Sequence, residues 1–349
     1  MIVWFDVLTA KQARIASILY HEGRMRGIDV FITCRRYDYI IETLSSHNVP
    51  YICLGDYGMD LREKLVKGFE RSLELLNVLP NFDVLIAYPA PEAHRIAWGL
   101  DKKIITLTDT THAEKVNKLT LPLSTIIITP KCIPLIEFKK YIPEDEVSKI
   151  VTFNGVFEVM WVSRYRPSRK LLKELELSEY DFVIFRFEEA KASYYRYGDK
   201  FELTTKILKL ILDNGFTVVV FPRYEYQRKF VESKFSDYIV KKKLIIPKNI
   251  PINLLDLTYY SRLVITGGST FAIEAALLGI PSITYFPQSF YIDDYIMKLG
   301  FPLYRCGDVK CLGIVKNLLN TDEKLNVYEK LKRLEDPTEL ILNKVVELS

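Results

Sequence analysis

Gly267-Gly268-Ser269-Thr270, with Glu274 one turn further on, is the set of residues best suited to hold an anion beside a hydroxyl-bearing ligand. Two glycines let the backbone approach a phosphate closely. The Ser-Thr pair opens an Ala-rich run closed by Gly279 and Pro281, which reads as a helix whose first N–H groups and dipole favour negative charge. A carboxylate at Glu274 does not suit the phosphate itself; it suits hydroxyls, such as those of a nucleotide ribose. The same turn could serve chain reversal alone. A second set is Asp109-Thr110-Thr111-His112. Asp109 and His112 each follow an apolar run, where either could take a proton from a hydroxyl or merely cap the next helix. Lys191-Ala192-Ser193, running into Tyr194-Tyr195-Arg196-Tyr197, reads as a substrate-closing loop or as a Tyr-rich surface. Asp293-Asp294 looks like a metal pair, but adjacent helical carboxylates point about 100° apart, so a solvated helix face is expected.

These residues need a frame, and the chain supplies one by alternation. Short apolar runs at about 2–5, 29–33, 51–54, 83–87, 103–107 and 125–129 are separated by stretches with helical periodicity. Such runs, apolar on both sides, belong to parallel strands covered by helices on both faces. The rhythm breaks over 131–150 and resumes at 181–187, 217–221, 244–246, 263–266 and 282–286. We expect an α/β protein of two doubly wound domains facing across a cleft. The boundaries expected are 1–152, 153–335, and a terminal helix over 336–349 packing back on the first domain. Ligands of such sheets bind outside the carboxyl ends of the strands.

A chain of 349 residues is long for one core, which agrees with two domains. With 48 Lys+Arg against 44 Asp+Glu there is no concentrated basic face, so no nucleic-acid partner is expected. Five cysteines without a CxxC read as reduced, mostly buried thiols of a cytoplasmic protein. Four scattered histidines give no HExxH pair, so no metal ligand set is expected. No apolar run reaches the roughly 18 residues of a membrane span. Lys131 to Tyr141 mixes apolar, aromatic and basic residues as an interfacial helix would, although an ordinary core-facing helix gives the same pattern. Only three Gln against abundant Lys and Glu leans towards a thermophile.

The motifs also carry a resemblance. Leu257 to Pro281 is similar to the donor-nucleotide site of the GT-B superfamily, in particular the UDP-N-acetylglucosamine 2-epimerases and the peptidoglycan lipid-intermediate N-acetylglucosaminyltransferase. Thr266, Glu274, Ala275, Gly279 and Pro281 coincide with the epimerase pattern. Val151-Thr152-Phe153-Asn154-Gly155-Val156-Phe157-Glu158 resembles the epimerase hinge, Arg186-Phe187-Glu188 their Arg-x-Glu core, and Asp109 to Glu114 the His-containing loop of both relatives. The whole chain looks like a member of the archaeal and bacterial family known as domain of unknown function 354. The resemblance implies that Gly267, Gly268, Ser269 and Thr270 hold a diphosphate and Glu274 a ribose. Arg186, with Lys191 and Ser193 beside it, would support the departing diphosphate without a metal or other cofactor.

The implied activity is a metal-independent glycosyltransferase using a nucleotide-diphosphate sugar, UDP-sugar first, in surface glycan or glycolipid assembly. His112 or Asp109 would be its base, and a lipid-linked acceptor at the inner membrane surface would fit. The alternatives are an epimerase-like isomerase and a nucleotide-sugar-binding partner without chemistry. Ala272-Ile273 stands where the epimerases have Gln-Glu, and Lys115-Val116-Asn117-Lys118 where they have Ala-Gly-x-Arg, which puts transfer ahead of epimerisation.

Overall fold

The computed structural model describes residues 1–188, 201–248, 254–286, 288–321 and 324–348. They form two compact units, one of residues 1–161 with 334–349, the other of residues 162–333.

In the first unit the strands β1 (Ile2–Val7), β2 (Asp29–Arg36), β3 (Ile52–Asp56), β4 (Val84–Ala87), β5 (Lys103–Leu107), β6 (Ile126–Pro130) and β7 (Ile150–Phe153) make one sheet. Its order is β3-β2-β1-β4-β5-β6-β7. Every pairing is parallel. The chain therefore winds outward from β1 in one direction, then crosses over and winds outward from β4 in the other. The gap between β1 and β4 at their carboxyl ends is the topological switch point, where such sheets open a ligand crevice. β1 and β4 are buried along nearly their whole length, as strands covered on both faces must be. Trp4 meets Phe82 edge-on with ring centroids 5.1 Å apart, over Leu85, Ala93, Ile96 and Ile104. The indole Nε1 donates to Thr33 Oγ1 at 2.7 Å, and Thr33 in turn donates to Asp6 Oδ1 at 2.6 Å. Arg71, from the helix Leu61–Val78, closes this buried network with Nη1 donating to Asp6 Oδ2 at 3.1 Å. The helix Thr338–Leu348 belongs to the same unit. It buries Ile341, Leu342 and Val345 against the helix Ala10–Arg24 and β5.

The second unit repeats the plan with β8 (Phe182–Arg186), β9 (Thr217–Phe221), β10 (Leu244–Ile245), β11 (Leu263–Thr266), β12 (Ser282–Thr284) and β13 (Leu303–Arg305). Their order is β10-β9-β8-β11-β12-β13, again all parallel, so the switch point falls between β8 and β11. The helix Glu202–Asp213 packs Ile207, Leu208 and Ile211 onto Val183, Phe185, Val218 and Val220 of this sheet. The α/β, doubly wound expectation is met in both units.

The cysteines depart from expectation. Cys34 is disulfide-bonded to Cys53 and Cys306 to Cys311, and Cys132 is the free thiol. Cys34 and Cys53 lie side by side in the β2–β3 register, with Cα atoms 4.4 Å apart. Strand register brings them together; their separation of 19 residues in sequence gives no hint of it.

Candidate functional site

The second unit places the Gly-Gly element directly on its switch point. Thr266 ends β11 and is the register partner of Arg186, the last residue of β8. Gly267 N donates to Arg186 O at 3.1 Å, so the turn begins pinned to the neighbouring strand. A Cβ on Gly267 would lie 2.3 Å from Glu188 Cβ and 2.5 Å from its Cα, which only glycine avoids. Gly268 is different: its φ of −145° is extended, and nothing but Thr266 Oγ1 comes within reach of an added Cβ. Gly268 N donates to that Oγ1 at 3.2 Å and caps the helix Ser269–Leu277. Gly268, Ser269 and Thr270 are half-buried, and the turns beyond them are wholly buried. The helix start is therefore the part of this element open to a ligand, with its first N–H groups directed outward.

Arg186 is brought against this helix start. Its guanidinium carbon lies 5.7 Å from the Phe271 ring centroid, a cation–π contact within the first turn. Glu274 is buried on the same helix. Glu188 is buried beside the turn, where its Oε2 accepts from Tyr285 Oη at 2.6 Å. Ser269 has a partner that sequence did not suggest: its hydroxyl donates to Asp293, which is fully buried at the start of the helix Tyr291–Lys298. The solvated face expected for Asp293-Asp294 is thus corrected. Ile292, Asp293 and Ile296 form the inward side of that helix, and only Asp294 faces out, accepting from Arg305 Nη2 and Ser289 Oγ at 2.9 Å each. With the Ser269 proton committed to Asp293, Thr270 and the backbone N–H groups are what the turn offers an anion. Lys191 and Ser193 lie outside the described residues.

The first unit carries a second polar cluster, also at its switch point. Lys11, in the first turn after β1, donates from Nζ to Glu158 Oε1 at 2.7 Å and pairs with Asp109. Asp109 follows β5, Tyr88 follows β4, and Glu158 follows β7, so four strand ends converge here. Burial alone would lower the Lys11 pKa, but the charges and hydrogen bonds of Asp109 and Glu158 outweigh it and hold the ammonium above the ordinary lysine value. Burial pushes the Glu158 carboxyl up, with Lys11 opposing. The Tyr88 hydroxyl is buried with no hydrogen-bond partner among the described residues. Its pKa is raised well above the usual phenol value by burial and then by the Asp109 and Glu158 charges. Glu158 Oε2 is likewise buried and without a partner among the described residues. One ammonium shared by two carboxylates, beside a phenol and a carboxylate oxygen with bonding capacity to spare, is a group able to bind a hydroxyl and move its proton.

The two proton acceptors expected here fare differently. Asp109 belongs to the cluster. His112 sits in the loop beyond it, where partial burial of the ring lowers its pKa and the Asp109 charge opposes this. Asn117 secures that loop, Nδ2 donating to Thr110 O at 3.1 Å. Lys11, Tyr88 and Glu158 were not singled out from sequence as site residues, and Asp293 was weighed only as half of a metal pair. Lys11, Tyr88 and Glu158 share one weak sequence signal, a polar side chain within a few positions of a strand's carboxyl end. Among the described residues no group of His, Cys, Asp and Glu has the arrangement of a metal site.

The whole chain, residues 1–349, matches the family model described as protein of unknown function (DUF354). The chain belongs to the DUF354 family. It is 29% identical to the uncharacterised protein MJ0665 of Methanocaldococcus jannaschii, across 98% of this chain and 97% of that protein. Among solved structures it is similar to the UDP-GlcNAc 2-epimerase of M. jannaschii in complex with UDP-GlcNAc and UDP, with a TM-score of 0.76 at 16% identity over all of both chains. It is similar to S. aureus MnaA bound to UDP, with a TM-score of 0.76 at 11% identity over 100% of this chain and 97% of that one. The UDP-N-acetylglucosamine 2-epimerase of Rickettsia bellii gives 0.75 at 13% identity, over 100% and 95%. At these identities the likeness establishes the GT-B fold for this DUF354 member. No helix among the described residues is long and apolar enough to cross a membrane.

Proposed function

We propose that the protein is a metal-independent glycosyltransferase acting on a nucleotide-diphosphate sugar, with UDP as the favoured nucleotide. The observation that carries this is the meeting of Arg186 with the Gly267-Gly268 turn and the first turn of the helix Ser269–Leu277, which carries Glu274, at the switch point of the second sheet. The helix start and Arg186 supply the positive field that a diphosphate leaving group needs, without a metal. Glu274 accepts hydrogen bonds from a ribose. In the first unit Asp109, held by Lys11, takes the proton of an acceptor hydroxyl. A lipid-linked acceptor at a membrane surface fits such a transferase. The stretch 131–141 offers only one helical turn, Ile136–Lys139, which buries Phe138 and leaves Ile136 exposed.

A second reading, epimerisation of the nucleotide sugar, is favoured by the likeness to UDP-GlcNAc 2-epimerases. One pair of experiments separates these readings. Calorimetric titration with UDP, GDP and UDP-GlcNAc should show binding of one nucleotide, lost in Glu274→Ala and Arg186→Ala. Incubation with the bound donor alone should leave it unchanged if the enzyme needs an acceptor, and should yield a new nucleotide sugar if it epimerises. Absence of nucleotide binding would remove both readings.

A further inference from the structure

The helix Leu61–Val78 turns an apolar line away from its own unit. Leu61 is 79% exposed, Leu65 60%, Phe69 64%, Leu73 66% and Leu76 49%, while Arg71 and Leu75 on the inward side are buried. This spacing is one continuous face of an α-helix. With Val66 alongside, the face presents roughly 700 Å² of apolar surface, more than the few hundred Å² usual for a monomer and close to the ~800 Å² each partner gives to a standard interface.

The line is also symmetric. Leu65 and Leu73 stand one turn to either side of Phe69, and Leu61 and Leu76 two turns out. A second copy laid across it antiparallel, on a two-fold axis through Phe69, would set Phe69 on Phe69, Leu65 on Leu73 and Leu61 on Leu76. Such a self-matching patch is what a two-fold interface requires. Charge agrees: Arg62 at the amino end of the line would meet Glu74 of the second copy at its carboxyl end, both being exposed. A lipid surface fits less well, because the charges around the line are balanced, Arg62, Lys64 and Lys67 against Glu63, Glu70 and Glu74, where an interfacial helix carries an excess of Lys or Arg.

We propose that two copies of this chain associate through the helix Leu61–Val78, antiparallel about Phe69. The test is sedimentation velocity on the full chain. The wild type should sediment as twice 40.6 kDa and dissociate on dilution. Phe69→Lys and Leu65→Lys should each be monomeric with an unchanged circular dichroism spectrum, since both side chains are exposed in the single chain, and should melt at a temperature that does not depend on concentration. Arg62→Glu should weaken the dimer by about tenfold, and adding Glu74→Arg should restore it. A wild type that stays monomeric, a dimer that survives Phe69→Lys, or a monomer that floats with anionic vesicles through Phe69 would each overturn the proposal.

Discussion

Lys11 and Glu158 stand 147 positions apart in the chain, yet Lys11 Nζ donates to Glu158 Oε1 across 2.7 Å at the switch point of the first sheet. Lys11 is the one ammonium between two carboxylates that have little access to water. Removing it as Lys11→Met strands both carboxylates, which should cost about 3–5 kcal/mol of unfolding free energy in urea at neutral pH. Glu158→Gln should change stability by no more than about 1 kcal/mol, because the charge it removes is one that burial already disfavours. The Lys11 pKa is raised in the fold, so its stabilisation is complete below the ordinary lysine pKa of 10.5 and lost only as alkaline pH passes its raised value. Equal stability of Lys11→Met and wild type would show the cluster to be energetically idle.

His94 should dominate the acid limb. It is fully buried, with Nε2 2.8 Å from Thr106 Oγ1 and Nδ1 2.8 Å from Ala90 O, and burial lowers its pKa from 6.5 to about 4. A depressed pKa means that the unfolded chain binds the proton first. The His94 contribution is therefore present above pH 6.5 and lost as pH falls towards about 4, amounting to about 3 kcal/mol. Urea midpoints measured between neutral pH and about pH 4 should fall more steeply in the wild type than in His94→Gln.

The two glycines of the anion turn should respond in opposite ways. Gly267→Ala drives a methyl into Glu188 and should destabilise the second unit by about 2 kcal/mol or more. Gly268→Ala meets no neighbour and should melt like the wild type, while nucleotide affinity falls because the methyl occupies the approach to the helix start. Calorimetry alongside thermal melts checks both. Full nucleotide affinity in Gly268→Ala would mean that the ligand does not approach the turn.

Thiol titration should find one reactive cysteine in the denatured, unreduced chain and five after reduction. In the native protein Cys132 should react slowly near neutral pH, since burial, and then the Asp109 and Glu158 charges, push its thiol up to about 12. The double variant Cys34→Ser, Cys53→Ser should lose about 2–4 kcal/mol, the constraint on a 19-residue separation. Five thiols without reduction would disprove both bridges.

The periodic signals were legible because they are local. Alternating β-branched runs and helical spacing announced parallel strands, and the Gly-Gly-Ser-Thr sequence announced a tight turn into a helix start. Each depends only on backbone sterics and the nearest hydrogen bonds. Polar side chains beyond strand ends were harder to interpret, because a carboxylate such as Glu158 can face water or the interior with the same neighbours in sequence. Strand order decided those cases. It set Arg186 beside Thr266, and it gathered Lys11, Asp109 and Glu158 from beyond three strand ends onto one edge. The β2–β3 register likewise put Cys34 next to Cys53. The sequence by itself determined most of the strands, turns and helices, although β7 was not among the runs it marked. The tertiary structure alone decided which buried charges and thiols became neighbours, since Coulomb energy and covalent pairing depend on separation in space, which sheet topology sets.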